Sequence, residues 1–370
     1  MDLLESLSEG PWGLLIGALL GLLLAVWLED PLKKLSSRAN RRIRVTRTKR
    51  VDPAQRAPFS LGPIRTDCII IEGDGETPIL EESIYVIVDP RPVEIPSEIQ
   101  EWRQEITEDQ ERKRTEGQQA AWNGECYAVE RFVISRRAHD ESPEVFIRLS
   151  YADFYTFLAT QNLDRRFTDG TTPRSRYLLN CLPEDAPGFL ACSFGTNIAV
   201  ITSDQKLIIS RRSERVQTFP GLWSSSANEA LSRSIDSRGR SVPSLYAVAR
   251  RGLSEELAIH STECDLQLLA FTIVTSHHQW GALFIGRLHD ITAKELEDRW
   301  GRGVSDRWEH SEHCFIPFKA ADFLDFAFHP QRVHMWSPQA PTLYYLALVN
   351  EYGRARVESE IKKAVRRRPH

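Results

Sequence analysis

Residues 11–28, PWGLLIGALLGLLLAVWL, carry no charge, and this run constrains the chain more than any other feature. A helix of that length is about 27 Å long, enough to cross the hydrocarbon core of a bilayer. Trp12 and Trp27 stand near its two ends, where interfacial aromatics are expected. Asp2, Glu5 and Glu9 precede the run, whereas Lys and Arg dominate residues 33–50, with no acid among them. The positive-inside rule then predicts a single-pass membrane protein with its N-terminus outside and its C-terminal domains in the cytoplasm. A cleaved signal peptide would carry positive charge before the apolar run, the reverse of the order here. Gly13, Gly17 and Gly21 recur every fourth residue, a helix face on which two copies can approach closely as a homo-oligomer.

The remaining residues have the composition of a globular protein, with 41% of the whole chain hydrophobic and 26% charged. A net charge of −4 gives no global basic field, so no nucleic-acid partner is expected. Six cysteines without a CxxC pair read as reduced thiols rather than a disulfide framework. His310, His313 and Cys314 form an HxxHC run that lacks the second pair a structural zinc site needs.

Residues 29–60 read as a basic juxtamembrane linker and 61–190 as a small accessory α/β module. The module carries strand-like runs at 68–72, 83–88, 127–135 and 145–149, and helical spacing at 96–117 and 151–162. Trp122 and His139 read there as a core and a surface residue rather than as ligands. A second domain, 191–352, opens with strands at 197–202 and 206–210 joined by Ser203-Asp204-Gln205 as a hairpin. A turn follows at Phe219-Pro220-Gly221, and then a polar loop at 232–241. A helix is expected from Pro243 or Ser244, with Leu245, Val248, Ala249, Gly252 and Leu253 as its buried stripe. Strands at 266–275, 281–288 and 314–318, a helix at 341–351 and a basic tail at 353–370 complete the chain.

The chemistry gathers on the expected helix. Arg251 and Glu255 are four apart and can pair, and Glu256 offers a second carboxylate to the same groove. Clustered carboxylate oxygens suit Mg²⁺ or Mn²⁺, which keep waters and bind substrate phosphates. The run from Ala249 to Ile259, ARRGLSEELAI, resembles the second half of the Nudix box, Arg-Glu-aliphatic-x-Glu-Glu-x-Gly-aliphatic. Arg251, Leu253, Glu255, Glu256 and Ile259 match it, while Gly252 stands where that family has Glu and Ala258 where it has its closing Gly. The preceding hairpin and the Pro220-Gly221-Leu222-Trp223 turn are also similar, so the resemblance spans residues about 194–318. The first half of the box departs further. Ser224-Ser225-Ser226-Ala227-Asn228-Glu229-Ala230 replaces a Gly-Gly loop, and across the insertion Glu229 is the candidate upstream acid.

The resemblance implies a Nudix-like α/β/α sandwich with a mixed sheet, preceded by the small module and one transmembrane helix. It implies Glu255, Glu256 and Arg251 as catalytic residues, and Glu255, Glu256 and Glu229 as ligands of Mg²⁺ or Mn²⁺. Glu309, in the late acidic run of Asp306, Glu309 and Glu312, is the candidate base by position, although a solvated loop would look the same. Trp223, on the turn toward the substrate groove, and Trp280 are the candidate substrate contacts, although for Trp280 packing of a loop-edge aromatic on the core is the favoured reading. The function implied is a membrane-anchored hydrolase acting on a nucleoside-diphosphate-linked substrate. The alternative is a weakened nucleotide sensor signalling through oligomerisation of its membrane helix, a plan shared with membrane effectors of bacterial nucleotide-signalling defence. An isomerase of isopentenyl-type diphosphates ranks last.

Overall fold

The computed structural model describes residues 57–237, 242–303 and 307–367. The apolar run 11–28 with its three glycines, the basic linker up to residue 56, and Asp306 lie outside the described residues. Among those described, no helix is long and apolar enough to cross a membrane. Arg56–His370 is one compact unit.

Strands β1 (Ser60–Leu61) and β2 (Ile64–Arg65) make a small hairpin, followed by β3 (Cys68–Glu72) and β4 (Ile84–Pro92). Helix α1 (Ser97–Thr115) leads to β5 (Glu125–Arg136), β6 (Pro143–Asp153) and α2 (Phe154–Thr160). Helix α2 starts three residues later than its spacing suggests, because the Asp153 side chain accepts a hydrogen bond from the Thr156 N–H and caps it. Then come β7 (Phe194–Ile201), β8 (Lys206–Arg212), β9 (Trp223–Ser224), β10 (Ala227–Ala230) and the short α3 (Arg233–Asp236). Helix α4 (Leu245–Leu257), β11 (Cys264–Val274), β12 (Gln279–Leu288), α5 (Ala293–Arg302) and β13 (His310–Pro317) follow. Helices α6 (Ala320–Ala327), α7 (Ala340–Tyr352) and α8 (Arg354–Arg367) close the chain. The basic tail is therefore helical up to Arg367, with Val357, Ile361 and Ala364 buried on one face.

The large sheet runs β13-β8-β7-β12-β11-β3, with β10 pairing β7 and β9 pairing β8. It is mixed, since β12 lies parallel to β7 while β11 and β8 pair antiparallel with their neighbours. Side chains alternate between two cores, as a strand's period of two requires. Ile198, Val200, Ile208, Ala282 and Phe284 enter one core together with Val248 and Leu253 of α4. Ala199, Ile201, Leu207, Leu283 and Ile285 enter the other, with Phe323, Leu343 and Leu346 of α6 and α7. The sheet is thus covered on both faces, with helices on each side.

Residues 61–190 are built into this arrangement. Strand β3 forms an edge of the large sheet through β11. Strands β4, β6 and β5 form a second sheet, whose Val145, Ile147 and Leu149 share the first core with Leu253 and Phe284. Register explains why the sheet is legible strand by strand but its pairing is not: β3 meets β11 across about two hundred residues of chain.

Candidate functional site

Helix α4 positions the site. Its N-terminus is capped by Ser244, whose hydroxyl accepts from the Ala247 N–H at 3.2 Å. Its C-terminus is closed by Ala258 in the left-handed region, φ +55°, with its N–H directed to the Leu253 and Ser254 carbonyls. A glycine is the usual residue for that conformation, which accounts for the glycine the Nudix pattern has there. The expected stripe of Leu245, Val248, Ala249, Gly252 and Leu253 is buried, and it continues to Glu256.

Arg251 gathers three carboxylates. Its Nη1 lies 2.9 Å from Glu229 and 3.2 Å from Glu255, and its Nη2 3.1 Å from Asp236. Its Nε donates to Asp236 Oδ1 at 3.1 Å, and Nη2 also donates to the Ala230 carbonyl at 2.9 Å. Glu229 arrives from β10, where it sits opposite Thr196 of β7. Burial pushes its carboxyl up to about 8, opposed by Arg251 and reinforced by the negative charges of Glu256 and Glu255. Three carboxyl groups thus share one guanidinium.

Gly252 is required by this packing. A Cβ at that position would lie 2.8 Å from the Glu229 Cβ, closer than two carbons can approach. The carboxylate that the Nudix pattern carries at this helix position is absent, and Glu229, coming from the neighbouring strand, occupies the adjacent space.

Glu256 faces the other way. Its Oε1 accepts from the Asn228 N–H at 2.9 Å, and its Oε2 lies 2.5 Å from His310 Nε2, with both side chains almost wholly buried. Burial and the nearby Arg212 hold His310 down at about 4, opposed by Glu309, so the imidazole is neutral near pH 7. Its Nε2–H then donates to the carboxylate, and its buried Nδ1 finds no partner among the described residues.

Beside the cluster lies a cavity of about 220 Å³ lined by Asn197, Arg212, Asn228, Glu229, Glu309 and Gln339 among others. Arg212 is its cation. It is 9% exposed, donates to the Thr218 carbonyl at 2.9 Å, and makes no ion pair within 4.0 Å among the described residues. Burial lowers the guanidinium's basicity, partly offset by Glu309 and Glu256. A buried cation at a cavity wall with no ion pair among the described residues is an arrangement that an anionic ligand relieves.

The predicted site residues separate into three groups. Arg251, Glu229 and Glu255 come together, and Glu309 lines the cavity that Glu229 also lines. Glu256 adjoins them but is held by His310. Trp223, a candidate substrate contact, is a core residue, and Trp280 is in the core, the reading its sequence favours over a substrate contact. Trp280 is buried against Phe132 and Phe194, and Trp223 packs against Phe326.

Trp122 reverses the other expectation: it is 82% exposed rather than core, whereas His139 is at the surface as expected. His310, His313 and Cys314 do not converge, because His310 reaches Glu256, His313 reaches the Ser210 hydroxyl and Cys314 reaches Glu312. All six cysteines are free thiols.

Asp236, Arg212 and His310 belong to the site and were not assigned to it from sequence. Asp236 was hidden in the insertion. Arg212 was signalled by strand alternation, since in the Arg211-Arg212 pair at the end of β8 one side chain must point inward.

Among the described residues no group of three or more His, Cys, Asp or Glu side chains is arranged to hold a metal ion. The donor chemistry nevertheless suits a hard divalent cation, which binds through one or two carboxylates and keeps its waters. Glu229, whose carboxyl is held above its ordinary range by burial, and the partly exposed Glu255 are the groups that fit.

No family model matches the sequence, and no curated protein matches it. Several solved structures are similar to parts of it. A protein from Deinococcus radiodurans is 16% identical, with a TM-score of 0.30 over 41% of this chain and 81% of that one. A MutT protein from Methanosarcina mazei is 15% identical, with a TM-score of 0.28 over 46% of this chain and 94% of that one. The NUDIX domain of Shewanella oneidensis NrtR, solved with ADP ribose, is 16% identical, with a TM-score of 0.28 over 42% of this chain and 84% of that one.

Proposed function

We propose that the chain is a Nudix-like hydrolase that cleaves the phosphoanhydride of a nucleoside-diphosphate-linked substrate, held at the cytoplasmic face of a membrane by residues 11–28. The observation that carries this is the Arg251 cluster, three carboxyl groups around one guanidinium, beside a cavity whose wall holds the buried guanidinium of Arg212. Arg212 binds the diphosphate. Arg251 orients Glu229 and Glu255, which hold Mg²⁺ or Mn²⁺. The cation, when bound, neutralises charge on the diphosphate. Glu309, in the same cavity, takes a proton from the water that attacks phosphorus as the bridging P–O bond breaks.

The sensor reading is favoured by one observation. Glu256 has both oxygens engaged, by Asn228 and His310, and Gly252 supplies no carboxylate, so the acid set is smaller than the Nudix pattern provides. In that case the same cavity binds a nucleotide without turning it over, and the glycine face at residues 13–21 couples copies in the membrane.

Incubation of the full chain with Mn²⁺ and a panel of dinucleotides, nucleotide sugars and cyclic oligonucleotides separates the two. Release of nucleoside monophosphate supports the hydrolase. Saturable binding with no product from any compound supports the sensor and contradicts the hydrolase.

A further inference from the structure

Loop 116–124, between α1 and β5, carries Trp122 into solvent and is fixed on both sides of that residue. The Ala121 N–H donates to the buried Gln110 side-chain carbonyl at 2.7 Å, and the Ala121 carbonyl accepts from the Tyr155 hydroxyl at 3.1 Å. Asn123 Oδ1 accepts from the Tyr155 N–H at 2.9 Å. These bonds fix the loop backbone on both sides of the exposed Trp122. Trp122 lines a second cavity, of about 280 Å³, together with Trp308, which is 51% exposed. Arg212 and Glu309 line this cavity as well as the one beside Glu229. The two spaces thus share Arg212 and Glu309 as a common wall, the residues that would meet a phosphate. Arg215 adds a second cation to the aromatic end.

We propose that the Trp122–Trp308 cleft is the base subsite: it takes the planar aromatic ring of a nucleoside diphosphate whose phosphates lie on Arg212. Indole faces stack on any nucleobase, so the cleft selects for an aromatic ring at the end of the diphosphate rather than for one base. The ring is read in part from outside the segment that resembles the Nudix family, since Trp122 lies on the chain preceding it while Trp308 lies within it. This rests on the hydrolase reading for the position of the phosphates.

The test compares α,β-methylene-ADP with methylenediphosphonate, which differ by the adenosine alone, binding to the full chain by calorimetry in Mg²⁺. The expected result is tighter binding of the nucleotide. Trp122→Ala and Trp308→Ala should each weaken it about tenfold, leave methylenediphosphonate unchanged, and Trp122→Phe should retain most of the affinity. Equal binding of the two compounds, or an unchanged nucleotide affinity in Trp122→Ala, overturns the subsite and leaves the hydrolase reading standing. Failure of both compounds to bind overturns both.

Discussion

Glu255 and Glu256 are consecutive on one helix and have opposite circumstances. A helix turns about 100° per residue, so neighbours cannot share a face. Glu255 points to the rim, 37% exposed and paired with Arg251, while Glu256 is 2% exposed and locked between Asn228 and His310. The first carboxylate can exchange its partner for a cation at little cost to the fold. The second cannot be freed without leaving polar groups unpaired in the core. The pair shows that one short sequence motif can supply a chemical group and a structural group side by side, and that only the packing distinguishes them.

The largest effect expected of breaking the comparison comes from the buried side. His310→Ala removes a donor from a buried carboxylate and should cost about 3 kcal/mol of stability in urea unfolding. A loss below about 0.5 kcal/mol would mean that Glu256 reaches solvent. Gly252→Glu restores the Nudix pattern by letter but drives a side chain into Glu229. It should destabilise by about 1–3 kcal/mol, as overpacking does, with no gain in turnover. Improved turnover without loss of stability would show that Glu229 is not fixed where the structure has it.

The two sides also respond to pH in opposite directions. Glu229, ordinarily 4.5, is raised to about 8, so between those values the folded state keeps a proton the unfolded chain has released, and stability falls as pH rises. His310, ordinarily 6.5, is held at about 4, so the unfolded chain takes a proton first and stability falls as pH drops through that window. Glu229→Gln should therefore stabilise the protein at pH 8 relative to the unaltered chain and flatten its decline above pH 6.5, read as the unfolding midpoint across pH. An unchanged slope would place the titration elsewhere.

Much of the fold was legible because its signals are local. The hairpin of β7 and β8, the capped helix α4 and the strands β11 and β12 announce themselves through periodicity and turn residues. The attachment of β3 to β11 was not, since it depends on contacts between distant segments. At the site, Arg251 and Glu255 follow from helical spacing alone. The seclusion of Glu256 was also available, because one further step along the stripe of Leu245, Val248, Ala249, Gly252 and Leu253 reaches it. Asp236 was not available, as an insertion has no period to read. Trp122 is exposed rather than core because residue type says how much area a ring can bury, not which side of a loop it leaves on.

Turnover by the full chain carrying Glu255→Gln tests the central claim most directly. This substitution, on a partly exposed residue, should leave the unfolding midpoint within about 0.5 kcal/mol of the unaltered protein. The account predicts that Mn²⁺-dependent release of nucleoside monophosphate falls at least about a hundredfold, the scale of losing a group that acts in the transition state. Undiminished turnover in a folded Glu255→Gln protein would contradict it, and the Arg251 cluster would then be a structural network.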